Sequence, residues 1–223
     1  MNFELARANM IEQQVRPWDV LDQRVLNALA NVPRERFLPE EHSGLAYSDT
    51  RIPLENGKVS LNPNIEARLL QAAVLEDDDR VLIIGSGSGY IAACAAKLCK
   101  HVESIDTSEA INVTASANAE QCNIDNIKFI TGDLLEDLPD KTSYDAIIVN
   151  GSLETIPEKL KTSLTKLGRL IVTVGSEDKP IMETFVIRRI GEEDWLEQSI
   201  FDTHIPCILG NTDTRQTDSG FIF

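Results

Sequence analysis

The hydrophobic pattern of the chain changes at about residue 80. Before that point, apolar residues recur at three- and four-residue spacing over residues 1–45 and again over Ile65–Val74, which predicts helices. The first stretch is interrupted at Arg16 and Pro17, and residues 46–63 are rich in Asp, Gly, Asn and Pro. We therefore expect a helical extension and an irregular loop in front of residue 80.

From Arg80 onward, short β-branched runs alternate with helical patterns. Unbroken apolar strands suit a sheet that is covered on both faces, and strand–helix alternation implies parallel pairing with right-handed crossovers. The predicted strands are Val81–Ile84, Val102–Ile105, Ile127–Ile130, Ala146–Val149 and Leu170–Val174, and the predicted helices are Ser88–Leu98, Ser108–Gln121 and Ile156–Leu164.

The pattern changes again towards the end of the chain. Phe185–Ile190 and Trp195–Ile200 flank the polar run Gly-Glu-Glu-Asp, which predicts an antiparallel hairpin at the sheet edge. Residues 211–223 are polar with an apolar tip, and we expect them to form a flexible tail. We predict one domain over residues 1–223, with the helical extension and loop in 1–79 and the sheet in 80–210.

The charge balance disfavours polyanionic partners. Lys and Arg number 21 against 36 for Asp and Glu, so the formal net charge is −15. Such a surface repels phosphate backbones and anionic lipid, and we expect neither a nucleic acid nor a membrane as partner. The chain shows no secretory signal and no apolar run of transmembrane length, which predicts a cytoplasmic protein.

The cysteines and histidines form no recognisable metal or nucleophile pattern. The four cysteines contain no CxxC pair, the three histidines are scattered, and HExxH is absent. We expect reduced thiols and no bound metal.

The most informative segment joins the first predicted strand to the following helix. It reads VLIIGSGSGY over residues 81–90. Its glycines allow a tight turn and the close approach of a ligand, and a helix N-terminus offers free N–H groups to an anion. Asp106 lies 21 residues after Gly85 and ends the second strand, where a carboxylate can accept both hydroxyls of a ribose. These features predict a nucleoside ligand, and the alternative is a glycine turn kept for close helix–strand packing.

The spacing of the glycines favours S-adenosylmethionine as that nucleoside. A dinucleotide motif needs glycine in place of Tyr90, whose ring we expect to obstruct a pyrophosphate, and the P-loop Gly-Lys-Ser/Thr is missing. Asp133, just after the third strand, can accept from an adenine amino group, or it can serve as a turn or N-cap residue. The predicted cofactor-binding residues are Gly85, Ser86, Gly87, Ser88, Gly89, Asp106, Thr107, Asp133 and Leu134.

Motifs along most of the chain resemble the protein-L-isoaspartate O-methyltransferase family. The resemblance implies an α/β fold with a Rossmann-like, seven-stranded S-adenosylmethionine-dependent methyltransferase sheet. It also implies S-adenosylmethionine as methyl donor and an altered aspartyl carboxylate in a peptide or protein as acceptor. The segments that carry it are MIEQQVRPWDVLDQRVLNALANVPRERFLPE, AYSD, the loop Gly57 to Pro63, VLIIGSGSGY, VESID, FITGD, YDAIIV, GRLIVTVG and FDTHIPCILG.

Several positions depart from the family pattern. The family loop reads Gly-Gln-Thr-Ile-Ser-x-Pro with the serine hydroxyl at the reaction centre, whereas this chain has Val59 and Leu61 at the threonine and serine positions. Ser60 is a hydroxyl displaced by one residue, and in an extended segment it points to the other face. Ile83 replaces the acid usually found in the cofactor strand, and Thr173 stands where the family often has proline.

We expect the lost loop hydroxyls to slow the reaction or alter acceptor choice, and the lost strand acid to weaken cofactor binding, without removing the chemistry. A free aspartyl carboxyl group has a pKa of about 4 in water and is ionised at neutral pH. No general base is needed, and catalysis can rest on orientation and proximity. The catalytic candidates are Ser60 and Asp49, although Asp49 can instead cap a turn. The substrate candidates are Asn150, Leu61 and Val59.

Two alternatives to isoaspartyl methylation stay open. Because Val59 and Leu61 replace hydroxyl residues, the acceptor can be a different peptide or a small molecule. The chain can also be a cofactor-binding module without turnover. A nicotinamide-dependent oxidoreductase is the least favoured interpretation.

Overall fold

A seven-stranded sheet forms the centre of the fold in the computed structural model, which describes residues 2–54, 57–133, 138 and 144–208. The strand order is β3-β2-β1-β4-β5-β6-β7. Strands β1 to β5 are parallel, and β6 pairs antiparallel with both β5 and β7. The strands are β1 (Arg80–Ile84), β2 (His101–Asp106), β3 (Ile127–Thr131), β4 (Tyr144–Leu153), β5 (Leu164–Val174), β6 (Met182–Arg189) and β7 (Trp195–Thr203).

Six α-helices accompany the sheet within the described ranges. Their starts follow local chemistry: the Asp22 side chain caps α2 by accepting from the Arg24 and Val25 amides, and Pro63 occupies the first turn of α3. They are α1 (Phe3–Met10), α2 (Gln23–Asn31), α3 (Pro63–Ala73), α4 (Tyr90–Ala96), α5 (Glu109–Gln121) and α6 (Glu158–Thr162). None of these helices is long and apolar enough to cross a bilayer.

The buried strands feed two hydrophobic clusters, one on each face of the sheet. In β1, Val81 and Ile83 belong to the cluster that includes the N-terminal helices, whereas Leu82 and Ile84 belong to the cluster that includes α6. Successive strand residues point to opposite faces, so a strand buried on both sides reads as an unbroken apolar run. The two-sided sheet predicted from the sequence is confirmed.

An irregularity in β4 shapes the carboxyl edge of the sheet. The register of β4 against β5 shifts between Ile148 and Ser152, which leaves Asn150 in a bulge. Beyond the bulge, the Ser152 amide donates to the Pro206 carbonyl at 2.8 Å, and the Ile208 amide donates to the Ser152 carbonyl at 3.0 Å. The segment after β7 therefore returns across the end of β4 and lies beside the loop that follows β1.

The predicted fold class and the edge hairpin are confirmed, with corrections to the element ends. The helix predicted over Ser88–Leu98 is shorter, because Gly89 takes a left-handed conformation as its N-cap. The helix predicted to reach Leu164 ends at Thr162, since Leu164 pairs with Tyr144 in the sheet.

The loop before α3 contains more structure than the irregular segment expected, because Pro53 and Val59 form an antiparallel bridge. The division into residues 1–79, 80–210 and 211–223 stays a prediction. The predicted tail lies outside the described residues.

Candidate cofactor and acceptor site

Asp106 is a buried carboxylate at the carboxyl end of β2. Its side chain is 1% exposed. The Ser86 amide donates to Oδ2 at 3.1 Å, and the Ser108 amide donates to Oδ1 at 3.0 Å. The Lys58 ammonium lies 2.7 Å from Oδ1. Two main-chain donors therefore fix the carboxylate, and its third partner is a long side chain from the loop before α3.

The glycine loop after β1 has the backbone that its sequence predicts. Gly85, Gly87 and Gly89 have φ values of +89°, +52° and +86°, which side-chain-bearing residues rarely adopt. A Cβ on Gly89 would lie 2.9 Å from the Cβ of Ala115. The third glycine thus serves the close packing of α4 against α5, as the packing alternative proposes, whereas Gly85 and Gly87 face the cavity described next.

A cavity of about 320 Å³ opens at the carboxyl ends of β1, β2 and β4. Its volume is near the lower end of the range usual for small-molecule sites. The loop before α3, the glycine loop, β4 and the segment after β7 all contribute to its wall. The described lining residues are Gly57, Lys58, Val59, Leu61, Gly85, Gly87, Asp106, Asn150, Glu177, Pro206, Cys207 and Ile208.

Asn150 lines this cavity and carries a buried acceptor that has no partner among the described residues. Its Nδ2 donates to the Gly85 carbonyl at 3.0 Å, which sets the orientation of the amide. Its Oδ1 is buried and has no hydrogen-bond partner among the described residues. A buried acceptor without a donor is costly, so this oxygen suits a ligand that brings an N–H or ammonium group. The Asp106 carboxylate and the Asn150 oxygen are thus two hydrogen-bond acceptors at the cavity wall. Two such acceptors fit a zwitterionic nucleoside, which brings hydroxyl and ammonium donors.

The two serines of the glycine loop use their hydroxyls inside the protein. Ser86 Oγ donates to Asn112 Oδ1 at 2.6 Å and lies 3.0 Å from Ser104 Oγ. Ser88 Oγ accepts from the Tyr90 amide at 3.3 Å. Ser86 therefore contributes to the site through its main-chain amide on Asp106, and Ser88 through the start of α4.

The remaining predicted cofactor residues lie around the end of β3. The Gly132 amide donates to the Asp106 carbonyl at 3.1 Å, so the turn that contains Asp133 is adjacent to Asp106. Thr107 and Asp133 are exposed, and neither is among the described residues that line the cavity. Leu134 lies outside the described residues.

The loop before α3 is a small hairpin that divides its side chains between two faces. The Leu54 amide donates to the Lys58 carbonyl and the Ser60 amide donates to the Ile52 carbonyl, each at 2.8 Å. Val59 and Leu61, the substrate candidates of this loop, line the cavity. Ser60 does not: it is 4% exposed, and its Oγ accepts from the Ile52 amide at 3.0 Å. This position gives no support to the predicted catalytic role of Ser60.

Arg34 anchors this loop from beneath, and sequence reasoning missed it. The side chain is fully buried, and it donates to the Leu61 carbonyl at 2.7 Å and to the Ala46 carbonyl at 2.9 Å. It also forms an ion pair with Glu66 on α3. Burial raises the pKa of Glu66 to about 7, while the charge of Arg34 and its hydrogen bond act in the opposite direction. The helical extension therefore positions the loop before α3 through one buried guanidinium.

Two further positions lie away from the cavity. Asp49 accepts from Asn62 Nδ2 at 2.7 Å in an exposed contact, which favours its alternative role in loop structure. Thr173 is buried between β5 and β6, where its Oγ1 lies 2.9 Å from Thr184 Oγ1. The threonine that replaces the family's proline is thus accounted for by a hydroxyl pair within the sheet.

The expectation that Tyr90 obstructs a pyrophosphate is wrong. Its ring is buried against the N-terminal extension, with its centroid 5.8 Å from that of Phe37 and 4.9 Å from the Arg34 guanidinium carbon. It therefore does not reach the cavity lining. Only the missing glycine at position 90 now disfavours a dinucleotide.

Comparison with known proteins identifies relatives over nearly the whole chain. The family model described as protein-L-isoaspartate(D-aspartate) O-methyltransferase matches residues 6–200. A protein-L-isoaspartate O-methyltransferase from Opitutus terrae is 37% identical over 85% of this chain and 83% of its own length. Another, from Roseiflexus castenholzii, is 34% identical over 97% of this chain and 98% of its own length.

This chain belongs to the protein-L-isoaspartate O-methyltransferase family. Membership confirms the resemblance found in the sequence, the enzyme class, and S-adenosylmethionine as the methyl donor. A structure from Plasmodium falciparum, described as a protein-L-isoaspartate O-methyltransferase in complex with S-adenosyl-L-homocysteine, shares the fold with a TM-score of 0.78. It is 21% identical, and the match covers 93% of this chain and 98% of that one.

Proposed function

We propose that this chain methylates the free carboxylate of isoaspartyl residues in peptides and proteins. The observation that carries the proposal is the cavity in which buried Asp106, the unpartnered oxygen of Asn150 and the loop Gly57–Leu61 meet. The relatives from Opitutus terrae and Roseiflexus castenholzii bear this activity in their names.

For methyl transfer, the main task of the protein is to position the methyl donor and the acceptor carboxylate. S-adenosylmethionine, when bound, supplies a methyl group activated by a positively charged sulfur, so a carboxylate oxygen can displace the sulfur without any proton transfer. The residues of this chain have to hold both partners in line and keep water out, which accounts for large rate gains in reactions of this kind. The described cavity lining contains no histidine, and none is needed as a general base because the reaction transfers no proton.

We assign the cofactor-binding roles as follows. Asp106 accepts from the ribose hydroxyls, and Gly85 and Gly87 admit the amino-acid portion. Asn150 Oδ1 accepts from the ammonium group, which replaces the strand acid lost at Ile83. Asp133 serves the adenine amino group from the turn beside Asp106. The two amides on Asp106 and the buried Asn150 oxygen support the first and third roles.

Val59 and Leu61 form the acceptor end of the cavity. Both line it, and Leu61 is 4% exposed, so this end presents an apolar wall where the family loop carries hydroxyls. We expect the wall to exclude water and to orient the acceptor by shape. With Val59→Thr and Leu61→Ser combined, turnover of an isoaspartyl peptide should rise if the missing hydroxyls limit the present enzyme. Unchanged or lower turnover would show that they do not.

A paired-peptide assay tests the proposed function. The chain is incubated with methyl-labelled S-adenosylmethionine and either an isoaspartyl peptide or the same peptide with ordinary aspartate. We expect a base-labile methyl ester on the isoaspartyl peptide and background label on its partner. Background label on both peptides, with the protein folded and S-adenosyl-L-homocysteine bound, would reject isoaspartyl methylation and favour another acceptor or a binding role.

The predictions about partners and location remain proposals. The net charge of −15 supports the absence of a nucleic-acid partner. We propose a cytoplasmic enzyme that meets its peptide and protein substrates in solution.

A further inference from the structure

Lys58 is the one positively charged side chain among the described residues that line the cavity. Its main chain is fixed, since its carbonyl accepts from the Leu54 amide at 2.8 Å in the loop hairpin. Its side chain is 32% exposed and ends 2.7 Å from Asp106 Oδ1. A flexible four-carbon stem on a fixed base can move its ammonium group from one anion to another.

The ammonium group of Lys58 competes with the ribose for the same carboxylate. An ionised carboxylate has about four lone-pair sites. Two of those on Asp106 are taken by the Ser86 and Ser108 amides. Two ribose hydroxyls need both of the sites that remain, and Lys58 holds one of them. Ribose binding therefore has to displace Lys58.

A displaced Lys58 lies in a cavity whose other charged lining residues are negative. The other charged residues of the described lining, Asp106 and Glu177, are acids, and the whole chain carries a formal charge of −15. An acceptor carboxylate that enters this cavity meets these two acids, and besides the sulfonium of the bound donor only Lys58, among the described lining residues, can offset the repulsion. Lys58 stands in the same loop as Val59 and Leu61, which line the acceptor end.

We propose that Lys58 is the residue that binds the acceptor carboxylate, and that the cofactor frees it for this task. This inference rests on the proposed function. Ribose takes Asp106, the released ammonium group pairs with the acceptor carboxylate, and acceptor binding therefore follows cofactor binding. The methyl ester product is neutral, so its ion pair with Lys58 is lost, and the ammonium returns to Asp106 when the spent cofactor leaves.

Because the acceptor loses its charge during the reaction, Lys58 should affect the KM for the acceptor and not kcat. The acceptor carboxylate loses its charge during methyl transfer, so the ion pair is stronger before the transition state than in it. An interaction of this kind lowers KM and does not raise kcat.

The first test measures S-adenosyl-L-homocysteine binding by titration calorimetry and needs no turnover. Lys58→Gln removes the competitor, and the dissociation constant should fall about two- to fivefold, as expected for loss of a partly exposed ion pair. The matched control is Lys128→Gln, at an exposed lysine on β3, which should bind as the unaltered chain does. Equal or weaker binding by Lys58→Gln would overturn the competition.

The second test follows steady-state kinetics with an isoaspartyl peptide. Lys58→Gln should raise the peptide KM about tenfold or more, the effect of losing a hydrogen bond to a charged group, with kcat unchanged or higher. Lys58→Arg should keep KM near that of the unaltered chain. An unchanged KM in Lys58→Gln, or an equal rise in Lys58→Arg, would overturn acceptor binding by Lys58.

The order of binding gives an independent readout. Without S-adenosyl-L-homocysteine the unaltered chain should bind the peptide weakly, and with it the affinity should rise, whereas Lys58→Gln should show no such rise. The same rise in both proteins would overturn the release of Lys58 by the cofactor. Absence of methyl transfer by the unaltered chain would reject the proposed function, while the homocysteine titration would still decide the competition at Asp106.

Discussion

Three donors converge on the carboxylate of Asp106: two main-chain amides and one ammonium group. The amides belong to the loops after β1 and β2, so the orientation of this side chain is set by the sheet itself. The ammonium belongs to the loop before α3. One residue thereby links the loops after β1 and β2 to the loop before α3, which are the proposed cofactor and acceptor sides of the cavity.

Replacing Asp106 tests that assignment at the scale of one residue. In Asp106→Asn the ribose loses a charge-assisted acceptor, and the amide NH₂ can face the Ser86 and Ser108 donors. We expect the dissociation constant of S-adenosyl-L-homocysteine to rise about 10- to 100-fold, as for the loss of one hydrogen bond to a charged group. Asp125→Asn, at an exposed acid, is the control. A change below twofold in a folded Asp106→Asn protein would show that the ribose lies elsewhere.

Sequence reasoning locates single residues well where the backbone fixes them. Gly85, Gly87 and Asp106 follow or end strands, so their place at the carboxyl edge of the sheet can be read from the order of the elements. It misplaces the Tyr90 ring, which packs against Arg34, a partner from a distant segment. For Ser60 it gives the correct face of the loop but not the burial of the hydroxyl on the Ile52 amide. Contacts of that kind leave no local signal in the sequence.

Among the elements, the N-terminal extension holds the loop before α3 through Arg34. The guanidinium joins the main chain at Ala46 and Leu61 to Glu66 on α3. Element order, strand pairing and the edge hairpin are predictable because each depends on local apolar runs. The β4 bulge and the return of the segment after β7 are not, since both depend on pairings between remote residues.

Replacing Arg34 should destabilise the contacts between the N-terminal extension, this loop and α3. Arg34→Met leaves Glu66 buried without its cation and two carbonyls without their donor, and we expect the free energy of unfolding to fall by about 3 kcal/mol. Arg34→Met combined with Glu66→Met removes both charges and should cost less than the single change. Denaturant titrations give both values, and a double variant less stable than Arg34→Met would contradict the pairing.

The ionisation of Glu66 should make the stability of the protein depend on pH. Because burial raises its pKa to about 7 from an ordinary value of 4.5, the folded state holds the proton more tightly than the unfolded chain. This contribution is fully present below about 4.5 and is lost as the pH rises through about 7.

Denaturant titrations from the ordinary glutamate pKa of 4.5 to above the raised pKa of about 7 measure the effect. Glu66→Gln should flatten the decline relative to the unaltered chain, and Glu109→Gln, at an exposed glutamate on α5, should leave it in place. Parallel curves for the unaltered chain and Glu66→Gln would show that this carboxyl group is already ionised throughout the range.

Across the whole molecule, the reactivity of the cysteines should show which parts of the fold exclude solvent. Cys94 and Cys99 are buried, whereas Cys122 and Cys207 are partly exposed. Burial raises the pKa of the Cys99 thiol to about 12 and also raises the pKa of Cys94. Since the thiolate is the reactive form, both should resist alkylation in the folded protein.

Peptide mass spectrometry after brief iodoacetamide treatment in mildly alkaline buffer checks this expectation. Cys207 should be modified first, and Cys94 and Cys99 only after denaturant unfolds the chain. Early modification of Cys94 in native buffer would mean that α4 is not packed as described.

A crystal structure with S-adenosyl-L-homocysteine will show whether the cavity at the carboxyl edge of the sheet holds the methyl donor on Asp106. We predict the ribose hydroxyls on the Asp106 carboxylate, the amino group at Asn150 Oδ1 and the Lys58 ammonium withdrawn from Asp106. A cavity without ligand and with Lys58 still paired to Asp106, at ligand concentrations that saturate binding in solution, would contradict this assignment.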